Sequence, residues 1–441
     1  MKRKLVYCTV DDAPCDSDNS SLLPTARCQI DYEPTHFLRC HSRKNDPADI
    51  QTQVWQCVFE PNKDDPMKTA NVVATCGGNS ICLINVKTGE VTGKFRSKDL
   101  REMFYCIAWT TLFVELVDPP QMNILAAAGA RGTLHLVHPD GGVAFFEHRI
   151  IRSQKVTVSS LLFHPKRCSI LFCAMSDGRV LVWDIGSPSP PDYNTQINHL
   201  LTLEARLEIF KLIYSLQGNV LMAACTSGVC GWIVTQEVLE KKQDRLPMLK
   251  FQFPRKHIQG ASETQLVDSL EVVGESVIAT KCVLHGVIYL WDLKATLAAS
   301  GEEHTAITVT PICVLSWSNT DNYFMNMGCH PEDKGTFHLT DICRHSVAGL
   351  LACGDDRGAL WLYSLKEVLQ KKEHKLAVQP MAILDWPDIT DLNLDRNRKL
   401  RLDVYDIVVD SVAVSCTGKY LVAVTNNNMV CIWKRMEQMR S

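Results

Sequence analysis

No run of apolar residues in this sequence approaches the roughly 20 needed to span a bilayer. The amino-terminal MKRKLVYCTVDDAP meets two aspartates after too short an apolar stretch for a secretory signal. No excess charge of one sign is present: the net charge is -3 over 441 residues, which excludes a generically basic nucleic-acid binder and leaves any DNA or phosphate contact to a local patch. Hydrophobic residues at 46% exclude a disordered chain. C-x-x-C is absent, and the 19 cysteines are odd in number and sit mostly in apolar strands, Cys57, Cys106, Cys173, Cys225, Cys313, Cys353 and Cys431 among them. They read as reduced, buried thiols acting as small hydrophobes, neither a disulfide framework nor a zinc site.

The catalytic signatures are missing as well. There is no G-x-S-x-G, no H-E-x-x-H and no G-x-G-x-x-G, and GEVTGKF at Gly89–Phe95 has the wrong spacing for a phosphate loop, with Phe95 where a hydroxyl would hold magnesium. His135 and His138 are three apart on a strand and so face opposite ways, which removes a shared metal. His164-Pro165 and His330-Pro331 read as strand-ending turns. The expectation is a chain with no catalytic residue, no metal and no cofactor.

What is present is repetition. Apolar strands carrying tryptophan recur at RVLVWDIG (Arg179–Gly186), GVCGWIV (Gly228–Val234), GVIYLWDL (Gly286–Leu293), GALWLYSL (Gly358–Leu365) and MVCIWKRM (Met429–Met436). A unit that cannot bury its faces alone must stack on copies of itself, so the repeat predicts an all-β, seven-bladed propeller and favours interaction over catalysis. The third unit, Val158–Gly186, is the plainest: alternating strands, a turn at Ser176, Asp177 and Gly178, and a Trp-Asp ending. Trp183, Trp232, Trp291, Trp361 and Trp433 read as equivalent positions that pack sheet against sheet. The last unit lacks a fourth strand while HFLRCHS (His36–Ser42) is a spare one, so the two ends are expected to close the ring in one sheet. Residues 1–35 read as a flexible arm, 36–434 as the propeller and 435–441 as a tail. Inserts at Gly186–His199, Leu239–Pro247, Ala295–Ala306, Cys329–Arg344 and Pro387–Val404 read as loops, and Leu365–Lys375 as a short surface helix.

Aromatics beside the strand starts are the candidate binding residues: Phe104, Tyr105, Trp317, Tyr323, Phe324 and Trp386. An aromatic rim can hold a methylated ammonium by cation–π attraction, at about 0.5 to 2 kcal/mol per contact. A second candidate is the basic run DRNRKLR, with Arg396, Arg398, Lys399 and Arg401 facing acidic partners or phosphate.

Several blocks go beyond the generic repeat. FLRCHSRKNDPADIQTQVWQCVFEP, VVATCGGNSICLINVKTGEV, FYCIAWTTL, ILAAAGARGTLHLVH, VLVWDIGSP with LLTLE, and LLACGDDRGALWLYSL with AILDWP follow one another in order. Together, over about residues 36 to 434, they resemble the WD-repeat half of the leucine-rich-repeat and WD-repeat family associated with the origin recognition complex. The resemblance implies a nuclear, non-enzymatic chromatin scaffold. Its partners would be origin recognition complex subunits and trimethylated histone tails, with any DNA contact indirect and no membrane. Its place would be heterochromatin, centromeric and telomeric regions included, where it would hold the complex and support replication initiation. Residues 1–35 show no L-x-x-L-x-L spacing, so the leucine-rich repeats of that family are not read here. The alternative is a cytoplasmic WD-repeat adaptor for another complex.

Overall fold

The structure is a computed structural model that describes residues 31 to 436, except 43–45, 47–48, 66–67, 115–119, 139–142, 152, 154, 189–192, 194, 242–245, 255–264, 301–305, 319, 321, 331–348, 371–376 and 388–406. The basic run at Arg396, Arg398, Lys399 and Arg401, most of the arm over 1–35 and the tail from 437 lie outside the described residues.

Seven sheets, antiparallel except for one short added strand, follow one another along the chain. After β1 (Tyr32–Leu38), blade one is β2 (Val54–Pro61), β3 (Thr69–Gly77), β4 (Ser80–Asn85) and β5 (Val91–Arg96). Blade two is β6 (Phe104–Phe113), β7 (Gln121–Gly129), β8 (Thr133–His138) and β9 (Val143–Arg149). Blade three is β10 (Val158–Phe163), β11 (Ile170–Met175), β12 (Arg179–Asp184) and β13 (Asn198–Glu204). Blade four is β14 (Ile209–Ser215), β15 (Val220–Cys225), β16 (Gly228–Ile233) and β17 (Leu249–Gln252), with helix α1 (Gln236–Lys241) before its last strand. Blade five is β18 (Val267–Val272), β19 (Val277–Cys282), β20 (Val287–Asp292) and β22 (Pro311–Ser316), with helix α2 (Leu293–Ala299) and strand β21 (Ala306–Thr308), which joins blade four, between the last two. Blade six is β23 (Gly328–His330), β24 (Leu350–Gly354), β25 (Leu360–Ser364), helix α3 (Leu365–Gln370) and β26 (Ala382–Leu384). Blade seven is β27 (Val409–Val414), β28 (Tyr420–Thr425) and β29 (Val430–Arg435).

Period-two alternation explains how these strands assemble, since each sheet offers an apolar face to both neighbours. Seven buried clusters result, one at each blade interface, such as Leu171, Cys173 and Leu181 against blade two and Phe172, Val180 and Val182 against blade four. Each large apolar side chain buried this way contributes about 1.5–3 kcal/mol. Trp232, Trp291 and Trp433 are wholly buried, pairing across to Leu221, Ile278 and Leu421, and Trp183 sits in the same register opposite Leu171. Trp361 departs from the expectation. It pairs with Cys353, whereas Tyr363, opposite Leu351, takes the tryptophan position and is buried. Two residues along a strand share a face, so the sequence offers two aromatics for one site.

Tight turns set the registers. Gly178, at φ 86, stands where a Cβ would meet Leu207 O at 2.6 Å, so only glycine fits. Asp355 Oδ1 accepts from the backbone of Arg357 and of Ala359, both at 2.9 Å. Two inserts are partly structured, with α1 and α2 overlapping their starts; α3 is the short helix expected at Leu365–Lys375, and β21 pairs in parallel with the four-residue β17, giving blade four a fifth strand.

β1 pairs antiparallel with β29 from Tyr32↔Arg435 to Leu38↔Val430, as the outer strand of blade seven. Tyr32 Oη donates to Gly418 O. The strand lies four residues earlier than His36–Ser42, so the propeller takes in Tyr32–Thr35, residues assigned from sequence to the arm. The shift has a local cause. Residues 40–42 leave the sheet so that His41 can sit under blade one, with Nδ1 3.0 Å from Ser80 Oγ and Nε2 2.8 Å from Thr75 Oγ1. Among the described residues, no helix is long and apolar enough to cross a membrane.

Candidate functional site: the aromatic mouth of the central channel

The innermost strands β2, β6, β10, β14, β18, β23 and β27 touch in ring order, and β27 returns to β2. Neighbours are locked at matching heights: Ile107 N donates to Gln56 Oε1, Leu212 N to Ser160 Oγ and Met327 N to Ser269 Oγ. In six of these strands the ladder slips one residue after the start, leaving Trp55, Tyr105, Ser159, Phe210, Asp268 and Asp410 outside the pairing. A bulge re-aims the residue it skips. Because the strands run in one sense, these six side chains gather at one end of the channel. In β6 the bulge separates Phe104, buried in the core against Phe95 and His135, from its half-buried neighbour Tyr105.

The loop entering β23 completes the mouth. Phe324 adopts φ 71, a left-handed backbone that costs a bulky residue about 1–3 kcal/mol. Its ring reaches Trp55 of blade one (centroids 6.1 Å, 86°) and Phe210 of blade four (4.9 Å, 89°). Trp55 in turn meets Tyr105 edge-on at 5.1 Å, and Tyr323 packs on both Phe324 and Phe210. Tyr323 is 45% exposed. Five aromatics from four parts of the ring thus form one contiguous cluster, whose electron-rich faces suit a positively charged, weakly hydrated group.

Buried polar groups hold this geometry. Asp268 Oδ2 accepts from Met325 N at 3.0 Å, fixing the residue after Phe324, and pairs with Lys281 Nζ at 3.0 Å. Burial pushes the Asp268 carboxyl up and Lys281 pulls it partly back. Thr320 Oγ1 and Asn322 Nδ2 both donate to Asp356 Oδ2, anchoring the loop from its other side. Within the channel Lys211 Nζ lies 3.8 Å from Glu271 Oε1.

Among the described residues the Asp410 carboxyl has one hydrogen-bond partner, Gln53 Nε2 at 3.0 Å on Oδ1, and burial pushes it well above the usual carboxylate range. A raised acid costs stability as pH climbs past the unfolded value of about 3.9, where the unfolded chain has already lost its proton. Asp410→Asn keeps the Oδ1 acceptor and removes the titration. Its melting temperature relative to the parent chain is expected to rise as pH is taken from 5 to 9, and a flat difference would contradict the assignment.

Of the six aromatics singled out from sequence, Tyr105, Tyr323 and Phe324 come together at the mouth. Phe104, Trp317 and Trp386 do not, and their expected rim placement is corrected to the core. Trp317 donates through Nε1 to Gly354 O, and its face is taken by Lys281 at 4.3 Å, a cation–π contact internal to the protein. Trp386 packs on Trp433. Trp55 and Phe210 were missed, since nothing in an alternating strand marks the residue that a bulge turns out. His164 sits in the turn expected of it, with Nδ1 accepting from the backbone of Lys166 and Arg167.

The model of the family described as leucine-rich repeat and WD repeat-containing protein 1, WD domain, matches residues 24–436. The Mus musculus protein of that name is 33% identical over 413 residues, covering 92% of this chain and 58% of its own length. The Homo sapiens protein is 33% identical over 414 residues, with coverage of 92% and 58%, and the Xenopus laevis protein is 34% identical, with 91% and 53%. The chain thus spans little more than half the length of these curated relatives. Among solved structures, a chain of a humanized mutant of the Chaetomium thermophilum Polycomb Repressive Complex 2 superposes with TM-score 0.62 at 11% identity, covering 94% of this chain and all of that one. A chain of the Chaetomium thermophilum complex itself gives 0.60 at 12%, with coverage of 92% and 99%. At such identity the likeness shows the fold alone.

Proposed function

This chain belongs to the leucine-rich repeat and WD repeat-containing protein 1 family, and from that premise we propose that it is a chromatin-associated scaffold whose channel mouth binds trimethylated lysines of histone tails. The family is a WD-repeat scaffold, a type of protein that is generally non-enzymatic. On this reading the propeller associates with the origin recognition complex, keeps it on heterochromatin in the nucleus and supports replication initiation.

One observation carries the reading: Trp55, Tyr105, Phe210, Tyr323 and Phe324 converge on one end of the channel around a residue held in a costly backbone conformation. Core packing alone gives no reason to hold Phe324 at positive φ with Tyr323 half exposed beside it. A trimethylammonium has no donor to satisfy and keeps its charge, so aromatic faces suit it better than carboxylates do.

The test is titration of the chain with matched histone-tail peptides, unmodified and trimethylated at repressive lysines, alongside co-purification with origin recognition complex subunits. Selective binding of trimethylated peptides is expected. Equal or absent binding, with recovery of a cytoplasmic complex instead, would favour a cytoplasmic adaptor.

A further inference from the structure

The seam where the ring closes holds a thiol pair that takes no part in the aromatic cluster. Cys40 lies just past β1, on the segment that leaves the closing strand for blade one, and Cys82 lies on β4 of that blade. Their sulfurs and a ring nitrogen of His41 all fall within 4.8 Å of one another. Cys82 Sγ is 3.4 Å from the Cys40 carbonyl oxygen, and Lys94 Nζ donates to that same oxygen. Cys82 is fully buried, whereas Cys40 is only half-buried. Both His41 nitrogens are already engaged by Ser80 and Thr75, which leaves the two thiols as the pair able to react.

The electrostatics are asymmetric in the way thiol chemistry requires. A hydrogen bond from Cys82 holds the Cys40 thiol well below the usual thiol range against the effect of burial, and the charges of His41 and Lys94 add to it. The same bond, with burial, pushes the Cys82 thiol well above that range. Of the two thiols, Cys40 is thus the more readily deprotonated. An acidified thiol on a half-buried residue, beside a second thiol, is the setting in which cysteine oxidises and is then resolved.

We propose that Cys40 is a hydroperoxide-reactive thiol that forms a reversible disulfide with Cys82, tying the ring-closing segment covalently to blade one. The Cys40 thiolate attacks one oxygen of hydrogen peroxide, the O–O bond breaks, and the leaving hydroxide takes up a proton as water, giving the sulfenic acid. Cys82 then attacks the Cys40 sulfur, loses its proton and expels hydroxide, which leaves as water. The sum is two thiols and one peroxide giving one disulfide and two waters. A reducing thiol reverses the bond by exchange.

The test treats the reduced full chain with hydrogen peroxide, caps remaining thiols with N-ethylmaleimide and maps the peptides by mass. A Cys40–Cys82 cross-link is expected, abolished by dithiothreitol and formed ahead of any link between Cys225 and Cys230, a thiol pair that is fully buried across β15 and β16. Lys94→Met should form the cross-link severalfold more slowly without unfolding. Cys82→Ala should leave Cys40 as a sulfenic acid that dimedone traps. A folded parent chain in which Cys40 stays open to capping after peroxide, or is oxidised with no link to Cys82, would overturn the proposal.

Discussion

Trp55→Ala is expected to weaken binding of a trimethyl-lysine peptide by about tenfold or more, since cation–π contacts are each worth about 0.5 to 2 kcal/mol and 1.4 kcal/mol is a factor of ten. Trp55 is chosen because it touches both Tyr105 and Phe324 and so links the two sides of the mouth. Its loss removes one aromatic face and lets two others relax. The residue is half-buried at the bulge in β2 and borders the core between blades one and two, while the interface formed by Val54, Cys57 and Phe59 stays intact, so the melting temperature should fall only modestly. Phe113→Ala supplies the control. Phe113 is 64% exposed at the far end of β6, away from the mouth, and its removal should leave binding unchanged. Equal losses for the two variants would mean that the peptide is held elsewhere.

The largest expected effect on stability comes from Lys281→Met. Lys281 and Asp268 are both fully buried, so the substitution leaves a carboxylate in the core without its counter-charge. Breaking a buried pair from one side costs about 3–5 kcal/mol, a large part of the roughly 5–15 kcal/mol that holds a folded domain together. The pH dependence follows from the raised Asp268 carboxyl. Its penalty sets in above the unfolded carboxylate value of about 3.9 and grows until pH passes the folded value, so the deficit of the variant should be smaller at pH 5 than at pH 8. Adding Asp268→Asn removes the orphaned charge while keeping an acceptor for Met325 N, and should restore most of the lost stability. Melting curves of the two single variants and the double variant decide the matter. A double variant as unstable as Lys281→Met would show that the cost lies in packing against Trp317 instead.

The same pair connects stability to the site, because Asp268 holds the backbone next to Phe324. Damage to the core of blade five is thus expected at the channel mouth as well.

How much of this was legible in the sequence depended on which physical signal each residue carries. Alternation and tryptophan spacing marked the blades, because a strand packed on both faces must repeat its apolar pattern wherever it occurs. The limits of that signal appear at Trp361 and Tyr363, two aromatics on one face, where only pairing to β24 shows which fills the repeat position. They appear again at the closing strand, drawn toward His36 by its apolar residues although the ladder begins at Tyr32.

The site was less legible, for a single reason. A one-residue slip reverses which way every following side chain points. In β6 the bulge falls between Phe104 and Cys106, so the neighbours Phe104 and Tyr105 have opposite fates, core and mouth. In β2 and β14 the same slip turns out Trp55 and Phe210, which read from sequence as ordinary members of alternating strands. Trp317 and Trp386 misled for the converse reason: both flank loops, yet the neighbouring blade covers them.

The central claim is that the channel mouth recognises a methylated ammonium through its charge. The measurement that tests it most directly is calorimetric titration of the full chain with two otherwise identical peptides, one bearing trimethyl-lysine and one bearing its neutral tert-butyl isostere. Their shapes match, and only the charge differs. Cation–π recognition predicts clearly tighter binding of the trimethyl-lysine peptide, with the difference lost in Trp55→Ala. Equal affinity for the two peptides would show a merely apolar pocket and contradict the account.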